Sequence, residues 1–239
     1  MTPTPHHFNR YEIKYVVDRR LADRLKESLR PYMHRDPHLS DAKPAYRVNS
    51  VYFDSVDLRC FWEKVDGVRF RRKVRVRTYG EEMSDKAFLE IKQKIDMTTQ
   101  KRRSMYPVSD LVDRLVHRSG DSLQGQVGEE VELMFHEHGF EPKVLVSYDR
   151  VAYMGSTDDS LRVTFDSNCR YRQTRLFESG LLRDSGYFLH PSLRIIEVKF
   201  DNLIPRWLVS LIRKFALSPI RVSKYCHSAN CAFFKAGAF

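Results

Sequence analysis

Three short charge motifs recur along the chain, and each places a glutamate two positions before a lysine. They are Glu12-Ile13-Lys14, Glu90-Ile91-Lys92 and Glu197-Val198-Lys199, each with an apolar residue in the middle. Residues two positions apart in a β-strand lie on the same face, so each motif puts an acid beside a base and turns the apolar residue to the other face. Such carboxylates are suited to binding divalent metal ions, and such lysines to binding phosphate.

A fourth segment carries only positive charge on one face. Arg71, Lys73, Arg75 and Arg77 alternate with apolar residues that include Val74. Charged strand faces are often exposed to solvent, but the apolar opposite faces of all four segments favour helices on the outside and an enclosed charged interior. Enclosed cations need anionic partners, and a chain of phosphates offers one to each. The glutamates would then face phosphate through Mg²⁺ or Mn²⁺, ions that bind one or two carboxylates together with phosphate oxygens.

The periodicity of apolar residues predicts the elements that would position these motifs. Alternation with a period of two predicts strands over Arg10–Val17, Arg47–Asp54, Val68–Tyr79, Ala87–Ile95, Thr99–Pro107, Lys143–Tyr153, Leu161–Asp166 and Ile195–Phe200. Helical spacing predicts helices over Arg20–Arg30, Ser109–His117, Gly128–His138 and Pro205–Leu217, with Asp18 and Ser109 as N-caps and Pro205 in a first helical turn. This grouping favours an α+β fold, a closed antiparallel β-barrel of about eight strands with helices packed outside.

Length, charge and composition narrow the class of protein. The chain has 239 residues, 42% of them hydrophobic, which predicts a single domain over residues 1–239. The net charge of +10 indicates an anionic partner or a membrane-facing surface, and charge alone does not distinguish the two. The four cysteines lack zinc-site spacing, and no run approaches the ~20 apolar residues of a transmembrane segment, so a cytoplasmic protein with reduced thiols is expected. A nucleic-acid partner is not expected, because the aromatic residues mostly occupy apolar core positions. No phosphate-binding glycine loop is present either.

The order of the motifs resembles the VTC catalytic domain, the polyphosphate polymerase module among the triphosphate tunnel metalloenzymes, or CYTH-like proteins. The resemblance runs along nearly the whole chain. It rests on Arg10 to Tyr15, Ser50 to Asp54, Lys73 to Arg77, Leu89 to Lys92, Tyr148 to Arg150, Arg162 to Asp166, Glu197 to Lys199 and Ser223 to Tyr225. The wider superfamily carries E-x-E-x-K in its first strand, and Arg10 stands where the earlier glutamate would be. This departure is similar to the VTC pattern and argues against a second metal site of the hydrolase type.

The resemblance implies a tunnel in which Glu197 holds a catalytic Mn²⁺ or Mg²⁺, with Glu12 and Glu90 as further candidate metal ligands. The residues expected to take part in catalysis are Lys14, Arg75, Arg77, Lys92 and Glu197. Those expected to bind substrate are Arg10, Lys73, Lys94, Lys101, Arg150, Arg162, Lys199, Ser223 and Lys224.

The expected activity is metal-dependent transfer of the γ-phosphate of ATP, or of another nucleoside triphosphate, to a polyphosphate chain. Two alternatives remain open. In one, water replaces the chain end, and the protein is an inorganic triphosphatase or nucleoside triphosphate hydrolase. In the other, the protein binds polyphosphate or another polyanion without catalysis.

Overall fold

A large antiparallel sheet with helices on its outer side makes up the described part of this computed structural model, which covers residues 10–81, 84–96, 98–173, 175–178 and 185–234. The strands are β1 (Arg10–Asp18), β2 (Met33–Arg35), β3 (Tyr46–Asp54), β4 (Phe70–Tyr79), β5 (Lys86–Ile95), β6 (Thr98–Pro107), β7 (Glu141–Gly155), β8 (Arg162–Arg172), β9 (Gly186–Tyr187) and β10 (Leu193–Asp201). The helices are α1 (Arg19–Leu29), α2 (Arg59–Val65), α3 (Val108–Leu115), α4 (Gln126–His138), α5 (Arg206–Lys214) and α6 (Lys224–Ala229), which leads into a π-helical turn over Asn230–Phe234. The side chain of Arg10 lies outside the described part.

The sheet is strongly curved. Its strands follow the order β1-β10-β8-β7-β3-β4-β5-β6, with β2 added beside β7 and β9 beside β8. The strands at the two ends of this order, β1 and β6, approach within 8 Å between Cα atoms. No hydrogen-bonded ladder joins them in the described residues. Lys92 Nζ of β5, the neighbour of β6, lies 3.1 Å from Glu12 Oε2 of β1. The α+β class and the large antiparallel sheet are therefore confirmed, but closure of a barrel by hydrogen bonds is not.

Two apolar clusters cover the convex side of the sheet. One lies between α1, α5 and the strands β1, β8 and β10, and it includes Leu25, Val163 and Ile196. The other lies beneath α3 and α4 and includes Leu89 and Leu111. Because side chains alternate along a strand, the charged residues between these apolar positions face the concave side. We call this concave side the inner face.

The starts of three helices test the predicted N-caps and the predicted position of Pro205. Asp18 caps α1, and its carboxylate accepts a hydrogen bond of 2.8 Å from Leu21 N, as predicted. The predicted cap at Ser109 is wrong, because α3 begins one residue earlier, at Val108, with the extended Pro107 in the N-cap position. Pro205 likewise occupies the N-cap of α5 rather than its first turn.

Two helices have no counterpart in the sequence prediction. Helix α2 follows Leu58, whose backbone has a φ of 59° in the left-handed region, and no side chain caps it. Helix α6 has six residues, and the Ser223 side chain accepts a hydrogen bond from Cys226 N at its start. Within the described ranges, every helix is too short or too polar to cross a bilayer.

Candidate active site

The E-x-K motifs of β1 and β10 lie side by side on the inner face. The register pairs Lys14 with Glu197 and Glu12 with Lys199, so acids and bases alternate across the two strands. Lys14 Nζ lies 2.8 Å from Glu12 and 3.7 Å from Glu197. Lys199 Nζ lies 3.2 Å from Glu197. The two strands thus form one network in which Lys14 joins both carboxylates.

Beside this network, Asp166 holds two cations that come from separate elements. Arg150 binds the carboxylate in a bidentate manner, with Nε 2.6 Å from Oδ1 and Nη2 2.7 Å from Oδ2. Lys224, at the first position of α6, places Nζ 2.7 Å from Asp166 and 2.5 Å from Glu197. Asp166 is completely buried and was not predicted as a site residue. Its position on the charged side of an otherwise apolar strand was the available signal.

Strands β4 and β5 supply the facing wall of the inner face. Glu90 is fully buried, and Arg75 Nη2 lies 2.6 Å from it, while Lys101 Nζ lies 3.2 Å from its other oxygen. Arg77 is 3.8 Å from the same carboxylate. Arg75 also donates a 2.8 Å hydrogen bond to the Tyr52 hydroxyl, which sequence reasoning had not selected.

Several predicted residues lie toward the edges of this arrangement or serve local structure. Arg162 donates to Asp36 at 2.8 Å and to the Tyr46 hydroxyl at 3.1 Å. Ser223 caps α6, and Lys73 contacts Cys226 Sγ at 3.3 Å. Lys94 lies on β5 directly opposite Arg71 of β4. Arg10 begins β1, and the structure does not describe its side chain.

The resulting ion-pair cluster has more positive than negative groups. Its carboxylates are Glu12, Glu90, Asp166 and Glu197. Its cations are Lys14, Arg75, Arg77, Lys92, Lys101, Arg150, Lys199 and Lys224. Eight cations against four carboxylates leave an excess of four positive charges, which is the electrostatic environment that a polyanion requires.

The cluster shifts the pKa values of its members. Burial raises the pKa of Glu90, but Arg75, Arg77 and Lys101 outweigh burial and lower it to about 2. Burial likewise opposes ionisation of Glu197, yet the surrounding lysines hold its pKa well below the usual range. The pKa of Lys199 falls to about 8 because burial outweighs the attraction of Glu197 and Glu12. Burial raises the pKa of Tyr52, but Arg75 and Arg77 reverse that effect and lower it to about 8.

The contacts of the carboxylates indicate which of them could hold the predicted divalent metal ion. No group of three or more His, Cys, Asp or Glu side chains is arranged to hold a metal ion in the ranges that the structure describes. Glu12 and Glu197 both contact Lys14, whereas the contacts of Glu90 are with Arg75, Arg77 and Lys101. One or two carboxylates completed by phosphate oxygens suit Mg²⁺ or Mn²⁺. Glu12 and Glu197 fit such an ion, which would bind together with a phosphorylated substrate.

The chain was also compared with solved structures, with curated protein sequences and with protein-family models. Among solved structures, a candidate adenylate cyclase from Bacillus halodurans is similar in fold, with a TM-score of 0.52, 12% identity and coverage of 90% of this chain and 95% of that one. A candidate adenylate cyclase from Vibrio parahaemolyticus gives a TM-score of 0.47 at 11% identity, covering 90% of this chain and 94% of that one. A protein from Pyrococcus horikoshii gives 0.46 at 14% identity, covering 94% and 98%. A search of curated protein sequences gave no match. A family model, the VTC domain, matches residues 9–233, and the chain therefore belongs to the VTC domain family.

Proposed function

We propose that this protein is a metal-dependent phosphotransferase that moves the γ-phosphate of ATP, or of another nucleoside triphosphate, to the end of a polyphosphate chain. The observation that carries the proposal is the excess of four positive charges in the ion-pair cluster, built from eight cations and four carboxylates. Membership of the VTC domain family supports a phosphoryl-related activity. We further propose that the curved sheet acts as a tunnel around the substrate.

The chemistry asks little of the protein beyond positioning and charge. A terminal phosphate oxygen of the acceptor attacks the γ-phosphorus, and the bond between the γ-phosphorus and the bridging oxygen breaks to release the nucleoside diphosphate. The guanidinium groups of Arg75, Arg77 and Arg150 are held in place by buried carboxylates, so they need little rearrangement to stabilise charge on the transferring oxygens. Lys14 and Lys224 would bind phosphate oxygens beside Glu197. No nucleophilic side chain is needed.

A divalent ion held by Glu197 and Glu12 would neutralise charge on the bound phosphates. The protein's part is to keep both carboxylates ionised at neutral pH. Burial raises the pKa of Glu12, but Lys14 and Lys92 outweigh it and keep the pKa well below the usual range. In the absence of ligand, the lysines balance the two carboxylates. The arrival of a phosphate would give those lysines a new partner and free the carboxylate oxygens for the ion.

Turnover of ATP tests the proposal directly. Purified protein incubated with ATP and Mn²⁺ should release one ADP for each phosphate that it adds to polyphosphate. Release of orthophosphate without chain growth would identify the hydrolase alternative instead. Formation of neither product by protein that binds the metal and ATP would exclude both activities and leave the alternative of a polyanion binder.

The role of Glu197 has its own test. Glu197→Gln should lower turnover at least ~100-fold, because losing a ligand should cost more than the 10–100-fold typical of losing a ligand's supporting partner. Binding of tripolyphosphate without metal should persist, since the substitution removes no cation. Glu137→Gln is the matched control, because Glu137 is 46% exposed on α4, outside the ion-pair cluster. Equal turnover in the two variants would remove Glu197 from the mechanism.

A further inference from the structure

One end of the inner face carries cations that no carboxylate balances. These are Lys64 of α2, Arg71 and Lys73 of β4, Lys94 of β5, and Arg221 in the segment before α6. In the described part of the chain, none of these side chains lies within ion-pair distance of a carboxylate. Arg71 donates to the Val68 carbonyl, and Lys73 contacts Cys226 Sγ at 3.3 Å. Every cation of the ion-pair cluster, in contrast, contacts at least one carboxylate.

The sheet register brings like charges directly opposite one another at this end. Arg71 of β4 pairs with Lys94 of β5, and in the next inward-facing row Lys73 pairs with Lys92. Lys92 pairs in turn with Lys101 of β6, which makes a row of three lysines across three strands. Like charges directly opposite each other destabilise a sheet. Lys92 and Lys101 have Glu12 and Glu90 as partners, so the uncompensated repulsion falls on the other cations of these rows, and a bound polyanion would relieve it.

Contacts of α2 and of the segment before α6 bring two further cations to the same end. Cys60 of α2 is bound to the Arg72 carbonyl at 3.3 Å, which fixes this helix beside β4. Ile220 N donates to the Lys14 carbonyl at 2.8 Å, and this places the following Arg221 next to β1. Burial lowers the pKa of Lys64 and of Lys94, and repulsion from Arg71 adds to the effect in both.

At the other end of the inner face, the cation is paired with a carboxylate. Arg162, at the start of β8, lies 2.8 Å from Asp36. The antiparallel register sets Arg162 at the far end of the sheet from Arg71 and Lys94. A long anion that occupies the ion-pair cluster would therefore extend toward the end with unbalanced cations.

We propose that Lys64, Arg71, Lys94 and Arg221, which we name the cation rim, bind the part of a polyphosphate chain that extends beyond the site of phosphoryl transfer. The inference rests on the proposed function for the identity of the anion. Inorganic polyphosphate is favoured over single-stranded nucleic acid because the exposed rings at this end of α2 and β4 already have partners. Trp62 packs edge-on against Phe61 and Phe234, and the Arg72 guanidinium lies over the Phe70 ring at 5.7 Å. Nucleic-acid sites of that kind offer aromatic faces on which bases stack.

Polyphosphates of different length distinguish binding at the rim from binding at the ion-pair cluster. The triple variant Lys64→Ala, Arg71→Ala, Arg221→Ala should raise the Kd for long-chain polyphosphate at least ~10-fold, while the Kd for tripolyphosphate stays within about twofold. The slope of log K against log salt for the long chain should fall by about 2, since each lost phosphate contact contributes about 0.7. Binding is measured by calorimetry at several salt concentrations, after thermal unfolding has established that the variant is folded.

The control is a triple variant that removes three positive charges from a different part of the surface. Arg206, Arg213 and Lys214 are exposed on α5, so their triple alanine variant lowers the net charge equally without touching the rim. Equal weakening of long-chain binding by both triple variants would overturn the proposal, as would an equal loss of tripolyphosphate binding in the rim variant. Equally tight binding of poly(dT) and polyphosphate to the rim would overturn the assigned ligand.

Failure of the rim and failure of the proposed function give different results. If the wild-type protein shows no turnover but its long-chain affinity still depends on the rim, the rim stands and the phosphotransferase proposal fails. If the wild-type protein elongates polyphosphate and the rim variant binds long chains normally, the rim alone is wrong.

Discussion

Each carboxylate of the ion-pair cluster contacts more than one cation. Asp166 is bound by Arg150 and Lys224, and Glu197 is within 3.7 Å of Lys14, Lys199, Lys224 and Arg150. This arrangement holds the cations in position without neutralising all of them. A phosphate entering the site would meet arginines already in fixed positions, a form of electrostatic preorganisation.

Tyr52 gives this cluster a testable pH dependence. Its hydroxyl accepts a hydrogen bond from Arg75, and its pKa is lowered to about 8, so the phenol is neutral below that pH and becomes a phenolate above it. A phenolate would neutralise part of the charge on Arg75. We expect the affinity for tripolyphosphate to fall about fivefold, or about 1 kcal/mol, between about pH 7 and about pH 9. Calorimetric titrations across this range measure the change.

The control for this prediction is Tyr52→Phe, which removes the phenol and keeps the ring. The variant should lose the part of the pH dependence that comes from the phenolate and retain the part that comes from Lys199, whose pKa is also about 8. The ultraviolet absorbance of the phenolate should titrate in the wild-type protein with a midpoint near that value. An unchanged pH slope in Tyr52→Phe would show that Tyr52 does not control Arg75.

Residue spacing predicted part of the site and left the rest open. The three E-x-K motifs could be assigned to one face because strand periodicity fixes which side chains share a side. Spacing carries no information on which strands become neighbours, so the bridge from Lys224 to Asp166 and Glu197 could not be foreseen. Tyr52 was missed for the same reason, because its significance comes from Arg75 on the adjacent strand.

At the scale of elements, one buried carboxylate links α6 to α2 and to the sheet. Asp54, at the end of β3, accepts hydrogen bonds from Cys60 N at 2.7 Å and from Phe61 N at 3.1 Å, and Tyr225 of α6 donates its hydroxyl to the same group. Asp54 therefore joins α2, β3 and α6. Since α6 carries Lys224, this structural carboxylate also helps to position a cation of the candidate active site.

Loss of the Tyr225 hydroxyl should show how much this junction contributes. Tyr225→Phe should lower the free energy of unfolding by about 1.5–3 kcal/mol, the usual contribution of a buried hydrogen bond to a charged group. Urea denaturation measures the difference. In Tyr187→Phe, which alters a 37% exposed tyrosine bound to Arg170, the change should stay within about 0.5 kcal/mol. Similar losses in both variants would contradict a special role for the Asp54 junction.

The elements differ in how well the sequence predicts them, and length explains most of the difference. Eight of the strands were predicted within a few residues, except that β8 continues to Arg172, six residues beyond the predicted end at Asp166. Strands β2 and β9 have three and two residues and are too short to show alternation. Helix α6 is likewise too short for a clear helical period, and α2 lacks a capping side chain.

At the scale of the whole molecule, the curvature of the sheet is opposed by the positive charge that it encloses. Bringing β1 close to β6 encloses the inner face, and the excess of positive charge within it opposes that enclosure. The ion pair between Lys92 of β5 and Glu12 of β1 offsets only part of this repulsion. Sequence patterning predicted a closed barrel because it indicates which faces are apolar. It does not determine whether the last pair of strands is close enough to form a ladder.

A polyanion that binds the inner face should therefore stabilise the whole fold. At a ligand concentration of about 100 times Kd, linkage adds about 2.7 kcal/mol to the free energy of unfolding. For a chain of this size each kcal/mol raises Tm by about 2–4 °C, so tripolyphosphate should raise it by about 5–10 °C. Scanning calorimetry measures the shift, and sulfate at matched ionic strength is the control, because it screens charge without spanning several cations. An equal rise with sulfate would mean that screening of the net charge of +10, rather than binding on the inner face, stabilises the protein.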